Sequence, residues 1–275
     1  MKTKVRPIVW LTESAVMIAL ATVLSFIKLL DLPYGGSITI GSMLPMIVIA
    51  YRYGIGRGMI TGLVYSVIQL LCGIGTLEYA TSFTAAVAII MLDYIIAFAV
   101  TGLGGLFRDK FKNDQTAELI SGAVLVCLLR YICHVISGCT VWAGVSIPSS
   151  DGLIYSLSYN ATYMIPETVI VVVLLWYLSG IVDFRSENLR PTVRKKTKSP
   201  AALVLGSIGW LAAVGAVIYD TVAVFGVLQN PDSGEFDFSL IGSAPWCVIG
   251  IVTGICAVIC AVLLIISHNC SKAEK

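Results

Sequence analysis

The chain has 275 residues, 57% hydrophobic and 12% charged, with a net charge of +2 and a mean hydropathy of +0.91. These values lie far from soluble globular averages and inside the membrane class, which argues against a soluble fold. Nothing in the charge pattern calls for a nucleic-acid partner, and a chain this apolar has lipid as its surroundings.

A helix needs about 20 apolar residues to cross a hydrocarbon core about 30 Å thick, and helices are the default because they satisfy their own backbone polar groups. Eight runs qualify as spans, at 8–27, 38–51, 59–73, 83–103, 118–138, 160–182, 201–225 and 245–267, the second and third being short. The first follows Lys2, Lys4 and Arg6 as a signal peptide would, but no small-residue cleavage site precedes a soluble domain, so a retained helix is expected. Its Ala15 and Ala19 form an Ala-x-x-x-Ala pattern that lets helices approach closely.

Placing the amino terminus in the cytoplasm puts Arg52 and Arg57, then Arg108, Lys110 and Lys112, then Arg185 through Lys198, and finally Lys272 and Lys275, on one side. Of 18 Lys and Arg residues, only Lys28 then falls in an outer loop and only Arg130 within a span. The segment Asn230–Phe238 is acidic and lacks Lys and Arg, as an outer loop should. Both termini are therefore expected in the cytoplasm of a multi-pass protein of the cell membrane.

The basic run ending at Lys198, with Pro191 and Pro200, reads as a linker. It divides the chain into a six-span domain (1–183), a cytoplasmic linker (184–200) and a two-span extension (201–275). Such a run also suits anionic lipid headgroups. No internal repeat, Walker A sequence or GxGxxG after a strand occurs, so any use of ATP must come from a partner. The eight cysteines form no CxxC pair and lie mostly in apolar runs, where they read as packing residues; no metal or cofactor is expected.

Ionisable side chains inside spans cost a few kcal/mol on insertion scales, about 3 for a carboxylate or guanidinium, and usually face a cavity or one another. Asp93, with Tyr94 beside it, sits near the middle of the fourth span. Arg130 and His134 are four residues apart and share a face of the fifth. An outer loop carrying Trp142 follows, then Tyr155, Tyr159 and Tyr163 at helical spacing, with Asn160 among them. Carboxylate, imidazole, amide and ring faces together suit a small heteroaromatic cation: the rings and the carboxylate attract the charge, and the amide reads donor and acceptor edges. Three plainer accounts compete. Trp142 and Tyr155 also fit an interfacial aromatic belt, Asp93 and Arg130 a structural ion pair, and His134 an interhelical hydrogen bond. Asp220, near the outer end of the seventh span, reads as snorkelling or bonded to a neighbouring hydroxyl.

Four runs in order, Tyr34–Pro45, Leu92–Phe98, Arg130–Gly138 with Trp142, and Tyr155–Asn160, resemble the thiamine-specific substrate-binding (S) component of energy-coupling factor (ECF) transporters, over residues 8–182. The resemblance implies a six-helix vitamin receptor that works with a transmembrane coupling subunit and two ATPase subunits. It makes Asp93 the acidic thiamine ligand with Tyr94 next to it, and His134, Trp142, Tyr155 and Asn160 further contacts. Tyr34 then falls where relatives carry an aromatic that covers the substrate, and Ala15 and Ala19 on the face offered to the coupling subunit. The terminal pair, 201–267, departs from the six-helix pattern. The alternatives are an S component for another vitamin or a thiamine precursor, a proton-coupled secondary transporter relaying through Asp93, Arg130 and His134, and a receptor or scaffold. No Ser/His/Asp, paired-carboxylate or metal constellation points to an enzyme.

Overall fold

The computed structural model describes residues 7–32, 35–112, 114–141, 152–186, 189–191, 200–228 and 237–273. Its helices are α1 (Pro7–Phe26), α2 (Leu44–Tyr53), α3 (Ile55–Cys72), α4 (the composite Phe83–Gly105), α5 (Gln115–Thr140), α6 (Gly152–Ile181), α7 (Pro200–Leu228) and α8 (Trp246–Ala273). All but α2 are long and apolar enough to cross a membrane. The helical membrane architecture expected from composition is thus the one found.

The expected span at 38–51 is where structure and pattern differ. It resolves into a short strand, a turn and the ten-residue α2, whose residues Leu44–Arg52 are all buried. A helix walled by protein on every side needs no lipid-spanning length. Pro45 sits in its first turn, where a missing amide costs nothing. The strands β1 (Lys28–Asp31) and β2 (Ser37–Thr39) pair antiparallel between α1 and α2 as a small hairpin. The expected sixth span lengthens to the 30 residues of α6, bringing Tyr155 and Tyr159 inside the helix.

Two units make up the chain: residues 1–175 with 184–190, and residues 176–183 with 191–275. In the first, α4 changes character along its length. Ser82 caps it by accepting from the Ala85 amide at 3.1 Å; an α segment (Phe83–Ile89) passes into a π segment (Ile90–Ile96), and the helix ends as a 3-10 segment (Val100–Gly105). That end packs against α2 at Gly105, where an added Cβ would collide with the Ala50 carbonyl, and against α5 at Gly122, where it would collide with the Gly104 carbonyl. Asp114 starts α5 by accepting from the Thr116 and Ala117 amides at 3.0 and 3.3 Å.

Charged residues close one end of this unit. Arg52 holds Glu13 of α1 through two bonds of 2.9 and 3.0 Å and donates to the Phe184 and Ser186 carbonyls. Arg185 pairs with the fully buried Glu118 and with Asp109, and its Nε donates to Tyr51 Oη at 2.9 Å. The network ties α1, α2, the α4–α5 turn, α5 and the segment after α6. These arginines belong to the basic set that the charge-bias rule assigns to one side of the membrane.

In the second unit, α7 and α8 pair along their length, with Ser267 donating to the Ala202 carbonyl at 2.6 Å and Trp176 lying 6.3 Å from Trp210. Asp220 accepts from Thr253 at 2.7 Å, a neighbouring hydroxyl as anticipated. The outer face of α8 is apolar and bare, Ile251, Val258 and Ile265 each being at least 60% exposed, as a lipid-facing helix requires.

Candidate functional site

Within the first unit, α1, α3, α4, α5, α6 and the β1–β2 hairpin surround a cavity of about 280 Å³. That is near the lower limit of the roughly 300–1,000 Å³ typical of small-molecule sites. The π segment of α4 carries Asp93 and Tyr94 to its wall. Widened turns of this kind often occur at functional sites, because the extra residue re-aims side chains that a regular helix would turn elsewhere.

Asp93 is gripped by α5. Its Oδ1 lies 2.9 Å from His134 Nδ1, and its Oδ2 accepts from the Ser137 hydroxyl at 2.6 Å. A carboxylate only accepts, so Nδ1 carries the proton in this bond, which fixes the tautomer and the plane of the ring. With side-chain exposures of 17% for Asp93 and 12% for His134, the pair is largely withdrawn from solvent yet borders the cavity. A charge in such a place is screened less than in bulk water, so a cation entering the cavity is attracted to it more strongly than it would be at the surface.

Tyr94 is held on the opposite side. Its hydroxyl donates to the Gly73 carbonyl at 2.8 Å and lies 2.7 Å from Thr76 Oγ1, which also borders the cavity.

The wall from α6 is aromatic. Tyr155 stacks on Tyr159, with centroids 6.2 Å apart and planes 13° apart; Tyr159 meets Tyr163 edge to face at 5.8 Å, and Tyr163 meets His134 likewise at 6.1 Å. Tyr155 is 3% exposed and faces the cavity, so it is not merely part of an interfacial belt.

Asn160 is more committed than the sequence suggests. Its amide donates to the Ser156 and His134 carbonyls, at 2.8 and 3.3 Å, and its oxygen accepts from Tyr163. One amide hydrogen thus braces α6 to α5 and the other stays within α6, leaving a lone pair of Oδ1 for a ligand. Tyr163→Phe removes only the hydroxyl that Asn160 accepts. It is expected to cost about 1 kcal/mol, seen as a fall of about 2–4 °C in Tm.

Arg130 is buried at 8% exposure; its guanidinium lies 4.4 Å above the Phe98 ring, and Nη1 points at Met43 Sδ. His134 and Ser137 give the Asp93 carboxylate a different anchor from the ion pair with Arg130 weighed in the sequence. Tyr34 and Trp142 lie outside the described residues. Ala15 and Ala19 lie together on an exposed face of α1, apart from the cavity lining.

An ionisable cavity residue, Glu167, escaped the sequence reading. Glu167 of α6 is 3% exposed and accepts from both the amide and the hydroxyl of Thr39, each at 2.6 Å. The rule that selects Asp93, an ionisable residue inside an apolar run, selects Glu167 equally, and Glu167 falls four residues after Tyr163 on the same face. Ser137, which donates to Asp93, was also not singled out in the sequence.

The family model described as Thiamine transporter protein (Thia_YuaJ) matches residues 11–183. The thiamine transporter ThiT of Bacillus subtilis (strain 168) is 35% identical over 183 residues, covering 63% of this chain and 91% of that protein. A solved structure of ThiT from Listeria monocytogenes, obtained by native-SAD phasing, aligns with a TM-score of 0.51 at 24% identity, over 62% of this chain and 93% of that one. At that identity the structural likeness speaks to the fold. The family match ends before α7, so the terminal helix pair lies beyond it.

Proposed function

Because the chain belongs to the thiamine transporter (Thia_YuaJ) family, we propose that it is the substrate-capture subunit of an ATP-driven vitamin importer, binding thiamine in the cavity between α4, α5 and α6. The observation that carries this reading is the Asp93 carboxylate, locked by His134 and Ser137 on the wall of a small cavity that Tyr94, Tyr155, Tyr159 and Tyr163 also line. A cationic ring stacked against Tyr155 and Tyr159 gains from the π faces, and Asp93 neutralises its charge without needing a water molecule. His134, Asn160 and Tyr94 set the polar edges, with Trp142 and Tyr34 as further contacts by family resemblance.

Translocation in this reading falls to an ECF coupling subunit and two ATPase subunits, the former docking on the α1 face of Ala15 and Ala19. The charge bias supports an orientation with both termini in the cytoplasm, and in this reading the ligand enters from the outer side. No bond of the substrate is made or broken; the work is recognition.

The test is a titration of the purified chain with thiamine, with the isolated pyrimidine precursor and with riboflavin. Saturable thiamine binding at low micromolar or lower concentration, with riboflavin inert, is the expected result. Riboflavin binding in preference to thiamine would refute the proposal.

A further inference from the structure

The β1–β2 hairpin contributes Lys28, Ser37 and Thr39 to the cavity wall, so displacing it would remove part of that wall. Its own pairing is slight, with strands of four and three residues and a register irregularity between Lys28 and Leu30. Two-stranded ribbons of this size are marginal by themselves.

Helix α6 holds the hairpin at two points, eight residues apart on one face. Tyr159 Oη accepts from the Gly36 amide at 3.2 Å, and Glu167 takes the Thr39 amide on Oε2 and the Thr39 hydroxyl on Oε1, both at 2.6 Å. The Thr39 hydroxyl has one proton, and a carboxylate can only accept, so that proton goes to Glu167. The Ser42 hydroxyl at 2.9 Å then donates to Thr39, as does the Ser42 amide at 3.2 Å. Every hydrogen-bonding position of the Thr39 side chain is thereby used.

A carboxylate as buried as Glu167 is tolerated where hydrogen bonds compensate for lost water, and here two of them come from β2. Lifting the hairpin would strip the acid of both donors at once, so the buried charge and the closed hairpin stabilise each other. We propose that Glu167 is a positioning residue that clamps the β1–β2 hairpin onto α6 and so sets the rate at which ligand leaves the cavity. This rests on the thiamine reading only for the choice of ligand; the clamp itself is measurable without one.

The experiment compares the purified full chain with E167A, E167Q and T39V in two measurements: amide hydrogen exchange over residues 37–43 without ligand, and thiamine association and dissociation by stopped-flow fluorescence. In E167A, exchange at Thr39 and thiamine dissociation should each accelerate about tenfold or more, with association changed less than about threefold. E167Q keeps an acceptor oxygen for the Thr39 amide and should fall between. T39V leaves the carboxylate in place, and should also speed release; it keeps the test open should E167A not fold.

Unchanged exchange in both Glu167 variants would overturn the clamp. Faster exchange with unchanged dissociation would overturn its control of release, as would an affinity loss carried by association alone, which marks Glu167 as a ligand contact. A wild-type chain that binds no thiamine refutes the functional reading, and the clamp then stands or falls on the exchange data.

Discussion

Asp93→Ala is expected to weaken thiamine binding by about 100-fold or more, the largest loss among substitutions in the cavity. Two effects add. The ligand's positive charge loses its counter-charge in a region where an ion pair at about 4 Å is worth up to about 4 kcal/mol at an effective dielectric of 20. His134 and Ser137, both turned toward Asp93, lose the acceptor that orients them. Truncating one partner of a buried charge pair costs about 2–5 kcal/mol in measured interfaces, or roughly 30-fold to several thousandfold.

Asp93→Asn separates these effects. The amide keeps one acceptor oxygen and the volume but removes the charge, so an intermediate loss of about tenfold or more identifies the electrostatic part. The check is isothermal titration of each variant beside the wild type, with melting curves to confirm the fold. Affinities within threefold of wild type in both variants would remove Asp93 from the site.

The second large effect concerns the scaffold. Gly122→Ala should lower stability by about 3 kcal/mol or more, seen as a Tm drop of about 10 °C or as loss of folded protein on extraction. Its added methyl would meet the Gly104 carbonyl, which belongs to the 3-10 end of α4. A flexible side chain could swing aside; a backbone carbonyl moves only with its helix. Gly104 and Gly105 sit together at that end, and Gly105 lies against the Ala50 carbonyl of α2, so displacement toward α2 is blocked as well. In lipid there is no hydrophobic drive between helices, and close backbone approach through small residues supplies much of the association energy. A Tm within 2 °C of wild type would show that α4 and α5 are free to separate at this contact.

The two predictions mark what was and was not legible beforehand. Asp93 stands out in the sequence because a carboxylate amid Ile, Met and Leu violates the rule for lipid, and no three-dimensional information is needed to see it. Glu167 violates the same rule but follows a proline close to the polar Tyr155–Asn160 run, which made it easy to pass over. Asn160 was visible as an amide among tyrosines, yet its donors turn to carbonyls on α5 and α6, a commitment that depends on how two helices meet. The β1–β2 hairpin was invisible, because its strands are too short to show a period of two.

The sequence alone determined that this is a multi-span helical membrane protein, where most of its spans lie, and which ionisable residues stand out in three of them. Length, hydropathy and charge bias act on each segment separately, so they can be read one segment at a time. Tertiary structure decided which face of each helix turns inward. In a soluble helix the apolar face marks the core, but lipid is as apolar as a packed interior, so Leu, Ile and Val carry no direction here. Only packing brings Asp93 to His134 and Ser137, Glu167 to Thr39, and Gly122 to Gly104, because each contact joins segments whose separate patterns are silent about one another.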